Sequence, residues 1–273
     1  MLREGDGRRA CATLNDKKAA GYGTLGGMSG EIVTLTGIAA RIMRVRERIE
    51  VAAPRAGRAA TDVTLIAVTK TVDAQTIHAA AVAGIRDVGE NKVQEAASKV
   101  GALSNLPGGL RWHLIGHLQR NKARRAVELF TAVHSIDSLA LATTVSQHAA
   151  QLGKTVDVFA QVNVSGEATK SGFASEDFLR NARSLAGLPA LRWRGIMTIA
   201  PDGESAPTLH ALFAATRMLH ARVREQFEAH TWDALSMGMT NDFEIAIEEG
   251  ATHVRVGRAI FGERTAGTQA IEL

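Results

Sequence analysis

Eight short runs of β-branched and apolar residues, each followed by a segment with helical spacing, constrain this chain more than any other feature. The runs fall at 63–69, 86–89, 112–116, 132–136, 156–164, 191–199, 234–237 and 253–256. Before the first lies a helix carrying Ile38, Ile42, Val45 and Ile49, whose spacings of four, three and four put all four on one face. Between runs, Val93, Ala96, Ala97 and Val100 form a stripe closed by Gly101. Phe178, Ala182 and Leu185 form another, closed by Gly187 and Pro189. Leu209, Leu212, Phe213 and Val223 form a third. Strands alternating with helices pair in parallel through right-handed crossovers. Eight such units closing on themselves predict an α/β fold, a single (β/α)8 TIM barrel. An open doubly wound sheet is the alternative, but no G-x-G-x-x-G follows the first run, which disfavours its dinucleotide-binding form.

The 273 residues suit one such domain, which typically takes about 250. Residues 1–30 differ from the rest: they are rich in small and basic residues, hold five glycines in 21–30, and lack a sustained apolar period. They read as a disordered N-terminal extension, with Met28 as an alternative start and the barrel spanning 31–273. No apolar core follows the early charges, so this is not a secretory signal. No apolar run reaches the roughly 18 residues that a membrane span needs. The one cysteine, Cys11, excludes a disulfide framework and a cysteine metal site, which fits a reduced, cytoplasmic setting. The net charge is +4, and the cluster Arg120, Lys122, Arg124 and Arg125 reads as a solvated helix face. With 4% aromatic residues, the chain lacks the footprint of a nucleic-acid binder.

In this fold, functional groups gather where strands end. The first run, Leu65-Ile66-Ala67-Val68-Thr69, leads straight into Lys70. A lone lysine there would read as a surface residue opening a loop. The functional reading is a Schiff-base lysine, because an amine attacks a carbonyl only when neutral and desolvation favours that form. Two glycine-bearing turns follow the last two runs, Ser236-Met237-Gly238-Met239-Thr240 and Arg255-Val256-Gly257-Arg258. Either alone is an ordinary turn. Loops after strands 7 and 8 are, however, the usual phosphate cradle of this fold, since glycine lets backbone N–H groups approach an anion. The segment Thr240-Asn241-Asp242 adds candidate helix N-caps. A lysine with a phosphate cradle allows two chemistries: a phosphosugar aldolase, or retention of the aldehyde cofactor pyridoxal phosphate.

Further motifs in the same order carry a resemblance. They are Ala67-Val68-Thr69-Lys70, Gly89-Glu90-Asn91-Lys92-Val93-Gln94-Glu95, His113-Leu114-Ile115-Gly116-His117-Leu118-Gln119, and Asn163-Val164 with Glu167, Lys170 and Gly172. Gly195-Ile196-Met197-Thr198, Ser236-Met237-Gly238-Met239 and Arg255-Val256-Gly257 with Ala259-Ile260-Phe261-Gly262 complete the set. From about Ile38 to Gly262 the chain resembles the pyridoxal phosphate homeostasis proteins, whose barrel is similar to the N-terminal domain of alanine racemase. The resemblance implies that pyridoxal 5′-phosphate is the cofactor and Lys70 its covalent anchor. It implies that Ser236 and the backbone of Gly257 and Arg258 hold the phosphate, that Arg255 faces the pyridine nitrogen, and that Asn91 lies near the ring edge. Lys170 is a second family lysine with no derived role. Two positions depart from the family pattern: Arg258 stands where a hydroxyl residue is usual, and Thr240 where serine is. A guanidinium at 258 could substitute for the hydroxyl at the phosphate.

Two functional classes follow: a carrier that binds, buffers and hands on the cofactor, with recipients among apo-enzymes that use it, or an amino-acid racemase or decarboxylase. Racemase relatives use a tyrosine from a second domain as one acid/base partner. Here the one tyrosine, Tyr22, falls in the extension, and about ten residues follow the barrel. The remaining acid/base candidates are His113, His117 and Lys70 itself; the two histidines lie four apart around a strand end, and at least one of them is structural. The balance favours a non-catalytic, monomeric carrier involved in intracellular pyridoxal phosphate homeostasis.

Overall fold

The computed structural model describes residues 35–167, 171–227 and 232–263. All eight predicted strands form: β1 Thr64–Val68, β2 Asp87–Glu90, β3 Arg111–Leu114, β4 Ala132–Ile136, β5 Val156–Gln161, β6 Leu191–Met197, β7 Ala234–Ser236 and β8 His253–Val256. Each lies parallel to the next, and β8 closes on β1, with Thr64 beside His253 and Ala67 beside Val256. The expected closed barrel is what the chain forms. The extension 1–30, with Cys11, Tyr22 and Met28, lies outside the described residues, as does Lys170.

The helices are α1 Leu35–Arg55, α2 Ala74–Val82, α3 Val93–Ala102, α4 Ala123–Leu129, α5 Leu139–Gln151, α6 Ser175–Ala186, α7 Ala206–Arg224, α8 Phe243–Glu248 and α9 Arg258–Phe261. The helix after β8, α9, has only four residues and covers little of the barrel wall. The segment before β1 makes up for it. α1 lays Ile38, Ile42, Val45 and Ile49, all buried, against α2, α8 and α9. Arg41 Nε donates to the Ile260 carbonyl at 2.7 Å and Arg48 pairs with Glu244 at 2.6 Å, fixing α1 onto α9 and α8. Burying such side chains stabilises by ~1.5–3 kcal/mol each.

Boundaries differ from the sequence pattern where loops keep strand-like bonding. The third run was expected to reach Gly116, but β3 ends at Leu114; Ile115 N–H still donates to Glu90 O at 2.9 Å. Gly101 was expected to close α3, yet the helix continues to Ala102 and Leu103 caps it. The basic cluster sits where expected: Arg124 and Arg125 are exposed on α4 and pair with Glu128.

Strand alternation separates two interiors. Val88, Trp112, Leu114, Val133, Val254 and Val256 face the helices in one continuous apolar layer. The alternate positions, Asp87, His113, His134, His253 and Arg255, point into the lumen. There Phe159 stacks on His134 at 4.1 Å and meets His253 edge-on at 5.3 Å. The lumen is therefore polar, whereas barrel cores are more often filled with branched apolar residues.

Candidate functional site

Lys70 follows β1 directly, and the backbone around it is held from behind. Thr69 is buried, and its hydroxyl donates to Glu90 Oε1 at 2.6 Å. Lys99, from α3, reaches under the turn: its Nζ donates to Thr69 O at 2.7 Å, Glu90 Oε1 at 2.8 Å and Glu95 Oε1 at 2.6 Å. Glu95 also accepts the Thr71 backbone N–H. Thr71 itself sits at φ 65°, a left-handed conformation that a β-branched residue avoids. Such strain costs on the order of 1–3 kcal/mol and persists only where surroundings impose it. The Glu90–Lys99–Glu95 cluster does so here. Burial pushes the Glu90 carboxyl above its usual range, against the pull of Lys99 and Thr69.

The half-buried Lys70 opens onto a cavity of about 350 Å³ at the C-terminal mouth of the barrel. Val68, Ile115, Val162, Ile199 and Met239 give it apolar walls; Asn91 and Arg255 share it with Lys70. Asn91 comes from the loop after β2, and Gly116 makes room for it. A Cβ at Gly116 would lie 2.4 Å from Asn91 O. Arg255, on β8, is 3% exposed, and its guanidinium donates to Ser236 Oγ at 2.7 Å and Thr198 O at 2.8 Å. Burial lowers its pKa to about 10, with Asp242 acting in the opposite direction.

The closing staves are arranged differently from a simple phosphate cradle. Ser236 is fully buried, and its hydroxyl meets both Arg255 and His134 Nδ1, the latter at 2.9 Å; it lies beneath the cavity rather than on its wall. Gly257 abuts the cavity wall, since a Cβ there would stand 3.3 Å from Val68 Cβ. α9 starts immediately after it, so the Arg258 backbone N–H belongs to a first helical turn, where such groups have no intrahelical acceptor. The Arg258 side chain is exposed and lies 4.0 Å from Glu263. Asp242, an expected helix cap, instead accepts the N–H of Met239 and tightens the turn after β7; its side chain makes no cap bond to α8. His117 lines the cavity and pairs with Asp137 at 3.1 Å, whereas His113 lies inside the lumen.

The alanine racemase N-terminal domain family matches residues 42–265. A pyridoxal phosphate homeostasis protein of Pseudomonas aeruginosa is 45% identical over 233 residues, covering 85% of this chain and 98% of the relative. One from Escherichia coli is 40% identical over 236 residues, covering 83% and 97%. The chain belongs to the pyridoxal phosphate homeostasis protein family. The structure of PipY from Synechococcus elongatus with pyridoxal phosphate bound superposes with a TM-score of 0.74 at 39% identity, over 82% of this chain and 100% of PipY.

Against that family background, sequence reasoning missed Glu90, Lys99, Asp87 and His134 as supporting residues. Signals for them existed. Glu95 and Lys99 form an i,i+4 pair, and Asp87 and His134 are polar residues within otherwise apolar strand runs, which demand partners when buried.

Proposed function

We propose that the chain holds pyridoxal 5′-phosphate in the cavity at the C-terminal mouth, anchored by Lys70, and serves as a carrier and buffer in intracellular cofactor homeostasis. The observation that carries this reading is the meeting of Lys70, Asn91 and Arg255, from three separate staves, on one cavity. The residues fit the cofactor. The volume falls within the ~300–1,000 Å³ of small-molecule pockets, the apolar walls suit an aromatic ring, and Gly257 lets the start of α9 pack closely on Val68 of the cavity wall. The bound aldehyde supplies an electrophilic carbon, which condenses with a primary amine.

Lys70 supplies that amine, and the Glu90–Lys99–Glu95 cluster fixes the turn from which it extends. Arg255 faces the ring nitrogen. A guanidinium has no acceptor and keeps its protons, so it donates to an unprotonated nitrogen and disfavours ring protonation. That weakens the ring as an electron sink and favours carriage over turnover of amino acids. The N–H groups opening α9 hold the phosphate together with Gly257 and Arg258. Ser236 contributes from beneath, through Arg255. Asn91 flanks the ring edge. We further propose a monomer acting in the cytoplasm, with apo-enzymes as recipients; no helix among the described residues is long and apolar enough to cross a membrane.

The purified protein should carry a visible absorbance band that Lys70→Ala abolishes, and borohydride should fix the cofactor to the peptide containing Lys70. L-alanine should keep its optical rotation in its presence. Enzyme-like racemisation would overturn the carrier reading in favour of a racemase. Trapping that requires a sugar phosphate, with no chromophore, would favour an aldolase.

A further inference from the structure

A column of buried hydrogen bonds crosses the lumen beneath the cavity. Asp87 Oδ1 meets His113 Nε2 at 2.9 Å, and His113 Nδ1 meets His134 Nε2 at 2.9 Å. His134 Nδ1 meets Ser236 Oγ at 2.9 Å, and Ser236 Oγ meets Arg255 Nη1 at 2.7 Å. No member is more than 6% exposed. The two ends reach opposite faces of the barrel. Arg255 lines the C-terminal cavity, and Asp87 lines a second cavity, of about 410 Å³, with Arg111 at the N-terminal face.

Proton positions in this column follow from its donors and acceptors. The hydrogen bonds of His113 and Arg111 outweigh burial and hold the Asp87 carboxyl at about 2, so at neutral pH it only accepts. His113 Nε2 therefore carries a proton. Burial, with the Arg255 charge nearby, keeps His134 neutral, so it has one N–H. If that proton sat on Nδ1, it would point at Ser236 Oγ, which already accepts from Arg255, and the serine proton would be left without a partner in the column. His113 would then need protons on both nitrogens, a second buried cation. With the proton on His134 Nε2, every member is satisfied: Arg255 donates to Ser236, Ser236 to His134, His134 to His113, and His113 to Asp87.

We propose that this directed column positions Arg255, with Ser236, His134 and His113 as positioning residues and Asp87 as a remote counter-charge at the opposite face of the barrel. The inference rests on the reading of Arg255 as the group facing the cofactor ring. Ser236 is the pivot. Its hydroxyl passes the polarisation of an ionised carboxylate to a guanidinium whose other bonded acceptor is the neutral Thr198 carbonyl. The column fixes which guanidinium nitrogens are engaged below, and so which remain for a ligand above.

Two readouts test it, one without the cofactor. In ¹⁵N NMR of the cofactor-free protein at neutral pH, His113 and His134 should both appear as neutral Nε2–H tautomers. An imidazolium, or an Nδ1–H tautomer at either ring, overturns the column. In the loaded protein, Ser236→Ala should weaken cofactor retention by roughly tenfold, the scale of a lost hydrogen bond to a charged group, and shift the absorbance band. Ser236→Thr should restore both, and Asp87→Asn should weaken retention while leaving both tautomers unchanged. Retention and band position unaltered in Ser236→Ala sink the proposal while the site reading stands. Wild-type protein that takes up no cofactor sinks the site reading, and the tautomers then decide the column alone.

Discussion

Lys70 and Arg255 face the same cavity but are seated by opposite means. Behind Lys70 lies an ionic cluster: Lys99 contacts Glu90 and Glu95 directly, at 2.8 and 2.6 Å, and imposes a left-handed Thr71. Beneath Arg255 the partners are neutral, and the Asp87 carboxylate lies three residues away through Ser236, His134 and His113. A strained turn is held by strong, short-range charge, whereas a side chain already on a strand needs only its rotation fixed. The barrel supplies both from residues one layer below the site.

The largest effect expected from this contrast is at Lys99. Its side chain is 9% exposed and Glu90 is 0% exposed, so Lys99→Met leaves a buried carboxylate without its cation. Breaking one side of a buried pair costs about 3–5 kcal/mol. Removing the hydroxyl in Ser236→Ala, where every partner keeps a second bond, should cost about 1–3 kcal/mol. Urea unfolding at neutral pH ranks the two. A larger loss for Ser236→Ala would reverse the contrast and make the column the stiffer support.

Acidification separates the two supports by sign. His134 is held well below its usual value, chiefly by burial, while His253 is lowered to about 3 and His220 to about 4 for the same leading reason. Folded, these rings stay neutral; unfolded, they take up protons below about 6.5. Their contribution is complete above that value and is lost as pH falls from about 6.5 toward 4. Each contributes a slope of ~1.4 kcal/mol per pH unit. Glu90 acts the other way: its raised value means that the folded state binds the proton first, so acid relieves the burial cost of its carboxylate. Asp87 joins the histidines only below about 4, on the way to its folded value of about 2. Unfolding free energies between pH 7 and 4 should therefore fall, and His134→Phe should flatten the slope by up to one proton. An unchanged slope in that variant would mean that His134 is not the buried neutral ring described.

Much of this was legible in the sequence, because its physics is local or periodic. Ile38, Ile42, Val45 and Ile49 face inward by spacing alone, and Lys70 stands out because a fully apolar strand runs into it. The placement of Ser236 and Arg258 was less legible, because strand parity and side-chain direction decide it. Ser236 precedes a glycine turn, which suggests a phosphate contact, but it lies on the lumen side of β7, where Arg255 and His134 take its hydroxyl. The column itself joins residues as far apart as β4 and β7, with His134 and Ser236 102 positions apart, and no periodicity encodes such a crossing.

The smallest effect expected is at Arg258, and its size separates two ways of gripping the phosphate. A guanidinium in direct contact would form charge-assisted, often bidentate bonds, and its removal would weaken retention by roughly tenfold or more. The side chain is instead 46% exposed and inclined toward Glu263, while its N–H opens α9 beside Gly257 and the cavity wall of Val68. Backbone N–H groups at a helix start bind anions whatever side chain they carry. Arg258→Ala should thus change cofactor retention by less than about threefold, with a modest fall in salt sensitivity as its screened long-range charge is lost. A tenfold loss would show the arginine folding back over the phosphate. The closing staves would then hold the ligand by charge, as the first stave holds its lysine, and the contrast between the two sides of the cavity would disappear.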